Sequence, residues 1–339
     1  MVAPRTALPA LALVALLAAG CVNPAEQRGG SATTAPATAS GGAKRIGFFG
    51  FAKANSFSAA TFAGVEEHAR ANGATAEFLD PNFDAQAQVQ QLQDAVTAER
   101  FDVFVVQAND GAAVVPAIQS AVRAGISVVV QFTPVGTRYD TAEPQVDGTI
   151  TLIDVPTLNG EGLGRLAIQA CQSRKLSPCE VAYLEGLKAL PLDNARTQAA
   201  VRVLESAPGV RVKAQVEGGY TQESGRKAMQ DILQKDPGID VVIGSSQAVL
   251  GAEAVAKGKD ILYVANGASR QTVEAVQRGR WFGAYYLPVK TLGARAAELG
   301  LAKALGRSVP ATNVMTDVPP ATSMGTKDAL ARVSGEYDE

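Results

Sequence analysis

Histidine is nearly absent from this sequence, which limits the chemistry that the chain can support. His68 is the single histidine among 339 residues, so a Ser-His-Asp or Cys-His site would have to use it. It lies in a predicted helix beside Glu66 and Glu67, a pattern typical of a solvated helix face. The shortage of histidine leaves mainly scattered carboxylates as candidate metal ligands. The sequence therefore predicts neither an enzyme, such as a secreted hydrolase, nor a metal site.

An excess of charge of one sign is also lacking. The chain has 31 basic and 33 acidic residues, a net charge of -2, and no basic run, so no binding to nucleic acid is predicted. The glycine-rich stretch at residues 160–164 reads GEGLG and lacks the G-x-G-x-x-G spacing of a dinucleotide site. The sequence therefore predicts no bound cofactor.

The N-terminus has the pattern of an export signal. Arg5 precedes an apolar run at residues 7–19, which is the length of a signal-peptide core and too short to span a bilayer as a mature helix. The run ends in LAAGC, which resembles a bacterial lipobox cut before a lipid-carrying cysteine. We expect a signal peptide at residues 1–20 and, at residues 21–43, a lipidated Cys21 followed by a flexible tether rich in Ala, Thr, Ser, Gly and Pro. The alternative is an ordinary secretory signal with Cys21 inside the folded domain.

Cysteine is scarce as well, with three in the chain. Cys171 and Cys179 lie close together in sequence, at a predicted helix end and at the start of the next strand. In an exported protein we expect them to pair in a disulfide. Free buried thiols are the alternative.

The folded part begins with a strand, a polar loop and a helix. Residues 46–51 (IGFFGF) are apolar throughout, which is typical of a strand buried on both faces of a parallel sheet. Ser56 or Ser58 could cap the helix that follows. In open α/β sheets ligands bind beyond the carboxyl ends of strands, so the loop at residues 52–58 is a candidate pocket wall. An ordinary turn between strand and helix is the alternative.

Strands and helices alternate from there to about residue 305. Such alternation predicts an α/β fold in which helices cover both faces of parallel sheets. Two sheets, divided near residues 148–154, fit the length better than one very wide sheet. On the alternation alone, the strand at residues 149–153 begins the second series.

Five stretches carry a resemblance to a known family. They are residues 54–58 (ANSFS), 124–130 (AGISVVV), 244–252 (GSSQAVLGA), 264–268 (VANGA) and 286–288 (YLP). Their order and spacing, from residue 46 to about residue 323, resemble the type I periplasmic binding proteins of ABC importers, most closely the ribose-like sugar-binding branch.

The resemblance implies two doubly wound parallel-sheet lobes joined by three crossovers. The N-terminal lobe would comprise residues 44–153 and 287–313, and the C-terminal lobe residues 154–286 and 314–339. Such lobes close on a solute like a jaw, and a permease recognises the closed form. The resemblance thus implies a monomer that is exported, is lipid-anchored at Cys21 to the outer face of the cell membrane, and serves an ABC permease.

The resemblance also supplies candidate ligand contacts. They are Asn55, Phe57, Ser58, Phe132, Thr133, Arg196, Ser245, Asn266 and Tyr286. Asn55 and Phe57 match a hydrogen-bonding amide and a ring that stacks on the sugar, and Arg196 matches an arginine that reaches a ligand oxygen. Phe132 and Thr133 stand where pentose binders have an Asp-Arg pair, and Asn266-Gly267 replaces an aromatic-Asp pair.

These departures predict a solute other than ribose. The loss of two carboxylates removes acceptors for paired sugar hydroxyls, while Phe132 and Tyr286 add stacking area. The predicted solute is a larger or less hydroxylated sugar, a polyol, or a sugar acid held by Arg196. The alternative function is a ligand-sensing lipoprotein that signals to a membrane kinase or receptor.

Overall fold

The computed structural model describes residues 42–339. The predicted signal peptide, Cys21 and most of the tether lie outside them. The strands are β1 (Arg45–Phe49), β2 (Thr75–Leu79), β3 (Val103–Val106), β4 (Ser127–Phe132), β5 (Ile150–Ile153), β6 (Cys179–Glu185), β7 (Val210–Glu217), β8 (Val241–Ser245), β9 (Leu262–Asn266), β10 (Gly283–Tyr286) and β11 (Thr322–Thr326). The helices are α1 (Ser56–Ala71), α2 (Ala85–Thr97), α3 (Val115–Arg123), α4 (Pro156–Ser173), α5 (Pro191–Ser206), α6 (Gln222–Lys235), α7 (Ser246–Val255), α8 (Arg270–Gln277) and α9 (Val289–Ala304).

The strands form two sheets, each the centre of one lobe. The first sheet has the order β2-β1-β3-β4-β5 and is parallel throughout. The second has the order β11-β10-β9-β8-β6-β7, in which only β11 runs antiparallel to its neighbour. We call the first sheet with α1, α2, α3 and α9 the first lobe, and the second sheet with α4–α8 the second lobe.

The chain passes between the lobes three times, as the resemblance implies. It crosses after β5, returns between β10 and α9, and crosses again between α9 and β11. At the last crossing Ile153 and Val314 form a short parallel bridge. The fold is therefore two doubly wound α/β lobes joined by a hinge of three connecting chain segments, which is the architecture of a type I periplasmic binding protein.

One element departs from the reading based on alternation. β5 pairs in parallel with β4, with Ile150 opposite Val129, so it ends the first sheet instead of beginning the second. Parallel neighbours need a long connection, which is usually a helix. Here residues 133–149 make the connection without a helix, and the alternation rule therefore placed the division one strand too early.

The first strand and helix set the geometry of the first lobe. Ile46, Phe48 and Phe49 of β1 are fully buried, as expected of a central parallel strand. Asn55, not Ser56 or Ser58, is the N-cap of α1, and its Oδ1 accepts a hydrogen bond from the Ser58 amide at 3.0 Å. The cap fixes the direction in which the loop leaves β1, which places the loop at the edge of the sheet.

α9 joins the first lobe although it follows the second lobe in sequence. It packs against α1 through a pair of glycines, one on each helix. A Cβ on Gly64 would lie 1.8 Å from the carbonyl oxygen of Lys290, and a Cβ on Gly293 would lie 2.0 Å from that of Thr61. Only glycine permits so close an approach of two helix backbones.

In the second lobe, a disulfide joins Cys171 at the end of α4 to Cys179 at the start of β6.

Candidate ligand-binding cleft

A cavity lies where the carboxyl ends of the two sheets face each other. The part of it that the centre of a water molecule can reach has a volume of about 50 Å³, several times the roughly 10–15 Å³ that one water needs. The first lobe lines it with Phe51, Asn55, Phe57, Phe83, Phe132 and Val289. The second lobe and the segments that cross between the lobes add Leu190, Leu192, Arg196, Tyr220, Ser246, Gln247, Asn266, Gly267, Ala268, Tyr285, Leu287 and Tyr337. The cavity can hold one small solute between the lobes.

Aromatic rings dominate the first-lobe wall. The Phe57 and Phe132 ring centroids are 4.7 Å apart, and Phe51 contacts Phe132 edge-on at 6.0 Å. Phe132 has a φ of 66°, which is rare for a bulky residue and costs energy that is tolerated mostly at functional sites. The wall therefore offers ring faces and edges for the C–H groups of a solute, with the Asn55 amide beside them.

Arg196 is the principal polar group of the second-lobe wall. It lies on α5, and its side chain is 6% exposed. Its Nη1 donates to Asp193 Oδ1 at 3.1 Å and to the Tyr220 hydroxyl at 3.4 Å. Nε and Nη2 are buried and have no hydrogen-bond partner among residues 42–339. A buried guanidinium nitrogen without a partner is costly, so these two donors are suited to oxygen atoms of a solute.

Two buried carboxyl groups stand behind this wall. Asp193 accepts hydrogen bonds from Arg196, from the Tyr220 hydroxyl at 2.6 Å and from the Leu187 amide at 2.8 Å. Asp154 accepts from the Tyr285 hydroxyl at 2.8 Å and from Asn159 Nδ2 at 2.7 Å.

The electrostatics of this cluster follow from its burial. Burial raises the pKa of both Asp154 and Asp193, and the charge of Arg196 opposes that rise. Burial acts to lower the pKa of Arg196, but Tyr220, Asp193 and Asp154 outweigh it, and the pKa is raised. Arg196 is therefore a permanent cation whose charge is already balanced by the protein.

Several side chains touch across the cleft. The Arg196 guanidinium carbon lies 5.8 Å from the centroid of the Phe132 ring. Phe83 of the first lobe stacks on Tyr220 of the second, with centroids 6.3 Å apart and an interplanar angle of 7°. Gln247 Nε2 donates to Ser56 Oγ at 3.0 Å. These contacts hold the two lobes together around the cavity.

Five of the nine residues expected from the sequence line the cavity, and four do not. Asn55, Phe57, Phe132, Arg196 and Asn266 line it.

The other four lie outside the lining of this cavity. The Ser58 hydroxyl donates to Gln107 inside the first lobe. Ser245 caps α7 and donates to the Gly219 carbonyl, beside a smaller pocket that shares Arg196 and Asn266. Thr133 is buried outside the lining. Tyr286 points away and donates to the Ser334 carbonyl at 3.0 Å.

Several cavity residues were not expected from the sequence. Tyr285, the neighbour of Tyr286, supplies the β10 side chain that reaches the cavity, because successive strand residues point to opposite faces. Gln247 lies in the stretch at residues 244–252 that carries the resemblance, so the sequence identified this stretch but not Gln247 as a cavity residue. Tyr220 and Tyr337 lie outside all five stretches, and no sequence signal identified them.

Residues 42–339 also lack two kinds of feature. No group of three or more His, Cys, Asp or Glu side chains there is arranged to hold a metal ion. No helix in that range combines the length and the apolar character needed to cross a membrane.

Comparison with known proteins adds a family and a fold. The sequence profile described as periplasmic binding protein domain matches residues 46–308. The chain matches no curated protein sequence.

Three solved structures illustrate the likeness of fold. A Mycobacterium smegmatis protein in complex with β-D-fucofuranose is 21% identical, with a TM-score of 0.73 over 86% of this chain and 94% of that one. An ABC transporter solute-binding protein from Bacillus halodurans C-125 with bound myo-inositol is 20% identical, with a TM-score of 0.72 over 88% and 100%. A periplasmic solute-binding protein from Actinobacillus succinogenes 130z with bound D-allose is 19% identical, with a TM-score of 0.70 over 85% and 99%. At these identities the likeness is one of fold.

Proposed function

The chain belongs to the periplasmic binding protein family, and from that premise we propose that it is the solute-binding subunit of an ABC importer for a neutral sugar or polyol. Proteins of this family bind solutes and are not enzymes. The observation that carries the proposal is the cavity between the lobes, where Arg196, which has two buried donors without a partner among residues 42–339, lines the same space as a wall of aromatic rings. This pairing suits a solute that has hydroxyl oxygens on one side and C–H groups on another.

The charges around the cavity favour a neutral solute over a sugar acid. All contacts described for Asp193 and Asp154 come from donors, which suits the ionised form of both carboxyl groups. If both are ionised, the cluster with Arg196 has a net negative charge. If one is protonated, as burial favours, the cluster is neutral. Arg196 has an uncompensated charge only if both carboxyl groups are protonated, and its own positive charge opposes that state.

The rings support the same choice. Phe57 and Phe132 offer apolar area, and hydrogen-bond donors line other parts of the wall. The β-D-fucofuranose and myo-inositol bound by two of the structural neighbours are neutral, polyhydroxylated rings of this kind. We propose that this protein takes a solute of the same class, with Asn55, Phe57, Phe132, Arg196 and Asn266 in contact with it.

Family membership implies a location outside the cytoplasm. Beyond that, we propose a lipid anchor at Cys21 that keeps the monomer at the outer face of the membrane beside its permease. The permease would distinguish the closed from the open arrangement of the lobes. If deletion of the gene abolishes uptake of the identified sugar, import is supported. If uptake persists and only a transcriptional response is lost, the sensor alternative is correct.

A thermal-shift panel tests the solute class. The neutral members are D-fucose, D-allose, L-arabinose, myo-inositol and glycerol, and the anionic members are D-galacturonate and D-gluconate. A neutral compound at about 100 times its dissociation constant should stabilise the protein by about 2.7 kcal/mol, with one molecule bound per chain in native mass spectrometry. If only the acids raise the melting temperature, the neutral-ligand proposal is wrong. If a broader panel of small solutes also produces no shift, solute binding is wrong.

A further inference from the structure

The segment at residues 334–339, which we call the strap segment, contacts both lobes beside the cleft. The Glu336 carboxylate accepts from the Lys290 amide at 2.8 Å and from the Thr291 amide at 3.2 Å, at the start of α9 in the first lobe. Tyr337 and Asp338 bind Arg270 at the start of α8 in the second lobe. The Arg270 amide donates to the Tyr337 carbonyl at 2.8 Å, and the guanidinium Nε donates to Asp338 Oδ1 at 2.8 Å. The strap segment thus has an anchor on each side of the hinge.

Tyr337 brings the strap segment into the ligand cavity. It is 7% exposed and is part of the cavity lining together with rings from both lobes. A tyrosine contributes a large apolar face and one hydroxyl. Because its backbone is held by the Arg270 amide, its position depends on the docking of the strap segment.

Glu339 joins the two lobes directly. Its Oε2 accepts from Ser56 Oγ at 3.1 Å, at the first residue of α1 in the first lobe. Its Oε1 accepts from Ser246 Oγ at the first residue of α7 in the second lobe. The N-termini of both helices favour a negative charge. The same Ser56 hydroxyl receives the hydrogen bond from Gln247 across the cleft.

We propose that the strap segment is part of the ligand-binding site, with Tyr337 as a specificity-determining wall residue and Glu339 as a positioning residue that ties the lobes together around the solute. This inference rests on the proposed function, because it assumes that the cavity takes a solute. Opening of the lobes would separate Ser56 from Ser246, and Glu339 could not then bind both. Glu339 therefore stabilises only the arrangement in which the cavity is enclosed, so its loss acts on solute release. Tyr337 limits the size of solute that fits.

The test compares full-length wild type with Glu339→Ala, Tyr337→Ala and the control Asp328→Ala. Asp328 is an exposed acidic residue shortly before the strap segment and does not line the cavity. Binding is measured by stopped flow with the neutral member of the panel, among D-fucose, D-allose, L-arabinose and myo-inositol, that stabilises wild type most. Hydrogen exchange of the amides that begin α1 and α7 is measured without sugar.

The inference predicts that Glu339→Ala releases the sugar at least about tenfold faster, because both hydrogen bonds by which Glu339 joins the lobes are lost, while the association rate stays within about threefold. Amide exchange should rise at α1 and α7 together, and Asp328→Ala should leave both measurements near wild type. Tyr337→Ala should weaken binding of that monosaccharide and improve relative binding of its O-methyl glycoside or ether. Wild-type release rates and exchange in Glu339→Ala would overturn the role of Glu339, and an unchanged preference in Tyr337→Ala would overturn that of Tyr337.

Failure of the proposed function is recognised separately. If the proposed function is wrong, wild type itself binds no member of the panel. Hydrogen exchange then tests on its own whether the strap segment ties the lobes together. A joint loss of protection at α1 and α7 in Glu339→Ala supports its role in tying the lobes, and unchanged protection overturns it.

Discussion

Replacement of Arg196 by lysine should separate solute binding from folding. Lysine keeps a positive charge next to Asp193 and Asp154, so neither buried carboxylate loses its counterion. Its single ammonium group cannot hold Asp193 and at the same time occupy the positions of Nε and Nη2. Arg196→Lys should therefore fold, with the cavity intact and two donors to the solute missing.

The size of the effect follows from those two donors. Nε and Nη2 are buried without a partner among the described residues, and a hydrogen bond that involves a charged group contributes about 1.5–3 kcal/mol. Two such bonds amount to about 3–6 kcal/mol, or at least about a hundredfold in the dissociation constant. The melting temperature without sugar should change little in comparison, because the charge is kept.

Isothermal titration with the best neutral sugar of the panel measures the change. Arg202→Lys is the matched control, since Arg202 lies on the same helix and is exposed. The control should bind as wild type does. A dissociation constant for Arg196→Lys within about threefold of wild type would show that the free donors of Arg196 do not contact the solute, and the argument for the site would lose its main support.

Three further changes test the electrostatics and the packing. Burial raises the pKa of Asp154 above the ordinary value of about 3.9, so the contribution of Asp154 to stability is complete below about pH 4 and is lost as the pH rises through the raised pKa. Melting curves at several pH values should therefore show wild type losing stability relative to Asp154→Asn as the pH rises, and a constant difference between the two would contradict this. Cys171→Ser opens a disulfide whose cysteines are 8 residues apart and should lower the free energy of unfolding by about 2–3 kcal/mol in urea titrations, whereas no change would mean that the crosslink does not restrict the unfolded chain. Gly64→Ala places a Cβ 1.8 Å from the Lys290 carbonyl oxygen and should lower the free energy of unfolding by about 1–3 kcal/mol in the same assay. The control Gly238→Ala has open space around its Cβ and should be neutral; equal effects of the two variants would mean that α1 and α9 can move apart at no cost in stability.

Much of the fold could be predicted because it follows local patterns. The buried run at β1, the polar loop and the capped helix form one unit whose periodicity changes from strand to helix within a few residues. The sheet to which β5 belongs could not be predicted from alternation, because the long loop before it has no local signal of direction. The packing of α9 on α1 depends on Gly64 meeting the Lys290 carbonyl oxygen, a contact between distant parts of the chain. The resemblance to a known family, and not the periodicity, supplied the three crossovers.

The cleft was predicted in part for a related reason. Every residue of β10 is buried, so no alternation of polar and apolar residues indicates that Tyr285, and not Tyr286, faces the cavity. Phe132 and Thr133 stand where pentose binders have an Asp-Arg pair, so the carboxylate of that pair is missing here. However, Asp193 lies one helical turn before Arg196 and Asp154 lies at the first crossover, and both stand behind the second-lobe wall. The site thus keeps carboxylates, but in positions where they hold Arg196, Tyr220 and Tyr285 and do not line the cavity.

This arrangement gives a physical reason for coupling between solute and lobe closure. The contacts across the cleft, such as Arg196 over Phe132 and Phe83 on Tyr220, contribute about 0.5–1.5 kcal/mol each. Against them, enclosure of Nε and Nη2 of Arg196 without partners costs about 1–3 kcal/mol for each donor. Two such contacts amount to about 1–3 kcal/mol and the two donors to about 2–6 kcal/mol, so the penalty offsets these two contacts largely or in full. A solute that supplies acceptors to both nitrogens removes the penalty and keeps the contacts, and can thereby shift the population of the lobes by several kcal/mol.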